Sequence, residues 1–143
     1  MIAFHVEGVP ATKGSSRAVI SRSTGLPVVL AASPKNARDQ ASWANAVGWA
    51  CKLAMRGQPP LTGPVRVVIN FWLPRRKGDA GDRPTQKRDG DKLERCTWDA
   101  LTDLAFVDDG QVVSWAGERW FADNRAPGAH ITIEPAAPAR KSP

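Results

Sequence analysis

Val65-Arg66-Val67-Val68-Ile69-Asn70-Phe71-Trp72 is the stretch that decides the fold. In an extended chain Val65, Val67, Ile69 and Phe71 share one side, and Arg66, Val68, Asn70 and Trp72 share the other. One side is wholly apolar and the other largely so, which predicts a strand near the middle of a sheet. Pro59-Pro60 and Gly63-Pro64 mark the loop before it. Towards the N-terminus, Ser33-Pro34 opens a helix expected over Asn36 to Met55, ending before Gly57. Its apolar stripe is Trp43, Val47, Ala50, Cys51 and Ala54. Further out, Arg17–Ser21 and Leu26–Leu30 flank a Thr24-Gly25 turn as two short strands. Ile2, Phe4 and Val6 alternate with Ala3, His5 and Glu7 as an opening strand that stops near Gly8-Val9-Pro10.

The other direction begins with Pro74 to Arg88. This stretch holds Arg75, Arg76, Lys77, Arg83, Lys87 and Arg88 against Asp79 and Asp82, with glycines and prolines that prevent regular structure. Next comes a helix expected over 92–105, with Leu93, Cys96, Thr97, Ala100, Leu101 and Leu104 at helical spacing. Asp91 is its expected N-cap and Glu94 completes a capping-box-like pattern. Val112, Val113 and Trp115 suggest a strand after Gly110 that runs on irregularly through Trp120. Ala129–Glu134 closes the fold as a strand with Ile131 and Ile133 on one face. The expected class is α/β (α+β): one domain over residues 1–134, a mixed sheet with helices packed against it. Residues 135–143 read as a Pro/Ala-rich disordered tail.

Charge is unevenly placed. The chain of 143 residues carries a net charge of +6, yet 14 of its 20 basic residues precede Asp89 and 10 of its 14 acidic residues lie at or after it. The first part therefore supplies a basic surface, and Lys13, Arg17, Arg75, Arg76, Lys77, Lys87, Arg88 and Lys92 are candidates to contact a nucleic acid backbone. A solvated connector fits the loop from Ala11 to Arg22 as well as phosphate contact does, whereas the position of Pro74 to Arg88 just before the acidic cluster makes phosphate contact its better reading. Cys51 and Cys96 form no CxxC pair and fall in helical segments, so two reduced, buried thiols are expected. His5 and His130 lack ligand-spaced companions, which argues against zinc. No signal-peptide pattern and no 18-residue apolar run is seen, so a cytoplasmic protein without a membrane partner is expected.

The acidic residues are concentrated in two tight pairs, Asp89/Asp91 and Asp108/Asp109, separated by one helix length. A divalent cation offsets the repulsion of such clusters, and Mg²⁺ favours hard oxygen ligands. Asp89, Asp91 and Asp109, with Asp108 beside them, are the candidate metal ligands. A single pocket requires the chain to bring 108–109 back to the start of the helix. Arg95 lies four residues after Asp91, on the same face, as a candidate to neutralise a scissile phosphate, and Asp99 is placed to orient it. Taken singly, Asp91 reads more readily as a helix cap, and Asp108-Asp109-Gly110 as a turn; taken together, in a basic chain, the metal reading gains.

Three segments together resemble the RusA family of Holliday junction resolvases. They are Asp89-Gly90-Asp91-Lys92-Leu93, Trp98-Asp99-Ala100-Leu101-Thr102 and Val107-Asp108-Asp109-Gly110-Gln111-Val112-Val113. The opening Gly8-Val9-Pro10-Ala11-Thr12-Lys13-Gly14 resembles the same family's N-terminal pattern. The resemblance implies a homodimer that needs Mg²⁺ or Mn²⁺ and resolves four-way DNA junctions by paired symmetric nicks. It sets the family's catalytic aspartates on Asp89, Asp91 and Asp109. Two positions depart from the pattern: Lys92 stands where the family usually has Asn, and Arg95 where it has a catalytic Lys. Arginine keeps the charge but cannot donate a proton. Arg95 acting electrostatically, Lys92 taking over, and weakened activity all remain open. Another Mg²⁺-dependent nuclease, acting on flaps, ends or forks, would use the same aspartates, and in a non-catalytic DNA-binding protein of the same fold the acidic cluster would be structural. An RNA-directed nuclease is a weaker alternative.

Overall fold

The computed structural model describes residues 1–13, 17–30, 34–85 and 90–140, the side chains of residues 17, 18, 29 and 30 excepted. The strand read first, β4 (Val65–Leu73), lies inside a five-stranded mixed sheet. On one side β4 pairs antiparallel with β7 (Gly128–Pro135), which pairs antiparallel with β1 (Ile2–Glu7). On its other side β4 pairs parallel with β5 (Val112–Ala116) over its first half and with β6 (Arg119–Phe121) over its second. β2 (Arg17–Ile20) and β3 (Pro27–Leu30) form a separate antiparallel ribbon.

Every second residue of β4 is buried, and these side chains face the helices. α1 (Pro34–Met55) packs on β1 and on α2 (Gly90–Leu101). Of the predicted stripe of α1, Trp43, Val47 and Cys51 are buried, Ala50 and Ala54 are only partly covered, and Met55 joins the buried face. They meet Leu93, Leu101, Phe106, Ile131 and Ile133 in one core. A buried hydrogen bond ties the helices together: Trp43 Nε1 donates to Thr97 Oγ1 at 3.0 Å, and that hydroxyl donates to the Leu93 carbonyl at 2.9 Å.

The second face of β4 is less buried than its apolar composition suggested, and at its Trp72 end arginines lie over the aromatic rings. The Arg125 guanidinium lies 3.6 Å over the Trp72 ring, and Arg83 lies 3.6 Å over Trp120, the register partner of Trp72. Such stacks shield aromatic surface while leaving charge in water.

Two local expectations are corrected. α2 starts at Gly90, so Asp91 sits inside its first turn and is not the N-cap. The helix also ends at Leu101, short of 105. Asp103 adopts φ 67°, a left-handed conformation that Asp tolerates, and its N–H bonds back to the Phe106 carbonyl at 2.7 Å. This reversal buries Ala105 and Phe106, while Leu104, the last residue of the expected helical pattern, packs against the core from outside the helix.

Candidate active site

The N-terminus of α2 carries the first acidic group. Asp91 and Glu94 lie on its first turn, and burial together with the Asp91 charge holds the Glu94 carboxyl above the usual carboxylate range. Gly90, Glu94, Glu118, Arg119 and Trp115 line a cavity of about 350 Å³ between this helix end and the point where β5 gives way to β6. Asp89, Lys87 and Arg88 lie outside the described residues.

The second acidic pair is elsewhere. Asp109 opens a single 3-10 turn, Asp109–Gln111, that leads into β5. The Gln111 side chain pins this turn. Its oxygen accepts from the Val107 and Asp108 N–H groups at 2.8 and 2.9 Å, and its amide donates to the Leu61 and Gly63 carbonyls at 2.9 and 2.8 Å. Leu61 and Gly63 immediately precede β4, so Asp108 and Asp109 sit by the start of that strand. Gly90 sits by Ile69 and Phe71, near its end.

The chain does return along α2, as one pocket requires, but the return is β5 itself. β5 starts beside Val65 and reaches the Gly90 end only at Ala116. Asp91 and Asp109 are thereby left at opposite ends of α2. Ten residues of helix between Asp91 and Leu101 amount to about 15 Å. Among the described residues no three acidic, His or Cys side chains lie close enough to hold one metal ion. Each end fits half of a cation site: oxygen donors only, with like charge crowded at the Asp91 end and exposed carboxylates at the Asp109 end.

The basic candidates divide by what they touch. Lys13 pairs with Asp99 at 2.7 Å, and its N–H bonds the Lys92 carbonyl at 3.2 Å, so the N-terminal loop is fastened to α2. Asp99 therefore pairs with Lys13, where it had been expected to orient Arg95. Arg95 is exposed one turn beyond Asp91, and Lys92 is half-buried. Arg75 makes two bonds to Asp123 at 3.0 and 2.9 Å and stacks 3.9 Å over Phe121, which holds the Asp123 carboxyl below its usual range. Arg76 and Lys77 are exposed, with no ion pair to them among the described residues. Arg76 also lines a groove of about 480 Å³ with Val9, Pro10, Thr12, Lys35 and Asn36. Arg17 opens β2.

Sequence reasoning missed Glu118 and Arg119, and read Glu94 only as part of a helix cap. Their one signal was Gly117, which breaks the alternation of β5 and steers the chain to the helix end. No helix among the described residues is long and apolar enough to cross a membrane.

A search of curated proteins finds no match to this chain. The family model described as Endodeoxyribonuclease RusA matches residues 9–134, which take in β2 to β6, both helices, both acidic pairs and nearly all of β7. The chain belongs to the RusA family of endodeoxyribonucleases.

Proposed function

We propose that this protein is a Mg²⁺-dependent endodeoxyribonuclease that resolves four-way DNA junctions by paired symmetric nicks, and that it works as a homodimer. The observation that carries this reading is the division of the acidic residues between the two ends of β5. β5 is an edge strand, uncharged from Val112 to Ala116, with Val113 and Trp115 each 57% exposed. An open, uncharged edge is a template for pairing with a second chain.

Antiparallel pairing of two such edges about a two-fold axis near Ser114 would set Val112 of one chain opposite Ala116 of the other. Asp109 of each chain then approaches the Gly90 end of its partner. Asp89 and Asp91 from one subunit and Asp109 from the other would hold the ion, with Asp108 at the rim. A divalent ion bound there polarises a phosphodiester and lowers the pKa of an attacking water. The chain's own part is to hold the carboxylates rigidly: Gln111 at one end, the first turn of α2 at the other.

Two such sites related by a two-fold match the two-fold of a four-way junction, which a flap or a fork lacks. Arg76, Lys77 and the basic residues before Asp89 would track the backbone of the arms. Arg95 and Lys92 are the cations next to Asp91 along α2.

A cleavage panel tests the reading. The parent protein with Mg²⁺ is given a mobile four-way junction, a fork, a flap and linear duplex at equal concentration. Paired nicks confined to the junction are expected, and Asp89→Asn, Asp91→Asn and Asp109→Asn should each stop cleavage while still binding the junction. Equal cutting of flap or duplex would favour a general branched-DNA nuclease, and binding without cleavage would favour a DNA-binding protein.

A further inference from the structure

We propose that Arg119 is the cation that contacts the phosphate being cut, a role that sequence spacing alone assigns to Arg95; this rests on the nuclease reading above. Gly117 fixes where Arg119 emerges. A Cβ there would lie 1.7 Å from the Ile69 carbonyl oxygen, so only glycine lets the chain pass flush against β4. The strand can then resume as β6, with Arg119 opposite Phe71. Phe71 is 2% exposed and faces the helix layer, so its register partner is directed to that layer as well.

Arg119 arrives at the first residue of α2. Its Nε and Cζ lie 3.6 and 3.7 Å from the position a Cβ on Gly90 would take, and Gly90 sits between Asp89 and Asp91. The backbone that carries it is held from several sides. Arg83 Nε donates to the Arg119 carbonyl at 2.9 Å, the Phe71 N–H donates to the Glu118 carbonyl at 2.8 Å, and the Glu118 N–H donates to Asn70 Oδ1 at 3.1 Å. Arg119 lines the same 350 Å³ cavity as Gly90, Glu94 and Glu118, room enough for a phosphate group. Arg95, by contrast, is on the exposed side of α2 and does not line that cavity.

A guanidinium stays charged and matches two phosphate oxygens at once, so it can offset repulsion between the phosphate and the carboxylates without moving a proton. Arg119 is thus an electrostatic and orienting group for the substrate, and it also lowers the local negative charge before any cation binds.

Arg119→Met keeps the aliphatic packing, and Arg119→Lys keeps the charge. Two readouts are made: single-turnover nicking of a four-way junction at saturating protein and Mg²⁺, and Mn²⁺ affinity of the DNA-free protein by electron paramagnetic resonance. Junction affinity is measured without divalent ions. For Arg119→Met the expected results are nicking reduced by about 100-fold or more, junction affinity lowered far less than nicking, and tighter Mn²⁺ binding because a neighbouring cation is gone. Arg119→Lys should fall between parent and Met in nicking. Parental nicking by Arg119→Met, or equal losses of affinity and nicking, would overturn the assignment. If the parent protein nicks nothing, the nuclease reading falls and the Mn²⁺ readout decides the placement alone. Unchanged or weaker Mn²⁺ binding by Arg119→Met then overturns it, and tighter binding keeps it.

Discussion

Replacing Thr97 by valine removes a hydroxyl and almost no volume. Thr97 is fully buried and Trp43 is 1% exposed, so water cannot reach the indole N–H that Thr97 Oγ1 accepts at 3.0 Å. The Leu93 carbonyl keeps its ordinary helical bond and is not orphaned by the change. The loss is therefore concentrated on one buried, unpaired donor, which costs about 1–3 kcal/mol. For a chain of this length that lowers Tm by roughly 2–4 °C per kcal/mol. Thr97→Ser keeps the hydroxyl and gives up one buried methyl, a loss of about 0.8 kcal/mol. Urea unfolding followed by circular dichroism gives both values. A cycle with Trp43→Phe should return a coupling of about 1 kcal/mol between the two positions. Because the bond clamps α2 to α1, the valine protein should also lose cleavage at a lower temperature than its parent. A Thr97→Val protein as stable as the parent, or a coupling near zero, would refute the clamp.

Three further outcomes follow from the same geometry. Gly117→Ala drives a methyl into the Ile69 carbonyl and should destabilise by more than about 3 kcal/mol or prevent folding, as thermal melts will report. Neutralising Arg76 and Lys77 together should lower the slope of log affinity against log salt by up to about 2, whereas Arg75→Ala should chiefly lower Tm, because Arg75 is committed to Asp123 and Phe121. Burial pushes the Cys51 thiol up to about 11, so native protein at pH 8 should resist alkylation at both cysteines until denatured. Because folding raises the thiol pKa, the stability that Cys51 contributes is intact below the ordinary thiol pKa and is lost as pH rises through the folded value.

The elements were legible because their patterns are local. Alternation over residues 65–72 and the stripe through Trp43, Val47 and Cys51 report burial on one face, and burial is what the sheet and helices require. The family resemblance likewise rests on contiguous residues, and the match over residues 9–134 agrees with it. What local pattern cannot carry is the distance between segments. Nothing in Asp108-Asp109-Gly110 says that β5 runs parallel to β4, and that direction alone separates Asp109 from Asp91. Arg119 was missed for the same reason: a crossover at Gly117 sets it against Gly90, 29 residues earlier in the chain. Lys13 and Arg75 looked like free backbone contacts because their partners, Asp99 and Asp123, are far off in sequence.

Subunit mixing probes whether each site is shared between two chains. Asp91→Asn and Asp109→Asn proteins are prepared separately, each expected to be inert, then unfolded together, refolded and given a four-way junction with Mg²⁺. If a site draws Asp91 from one subunit and Asp109 from the other, the mixed dimer holds one fully intact site and one doubly altered site. Nicking is expected to return on mixing, with a single nick per bound junction. A mixture that stays inert, while parent protein treated the same way nicks normally, would contradict a shared site.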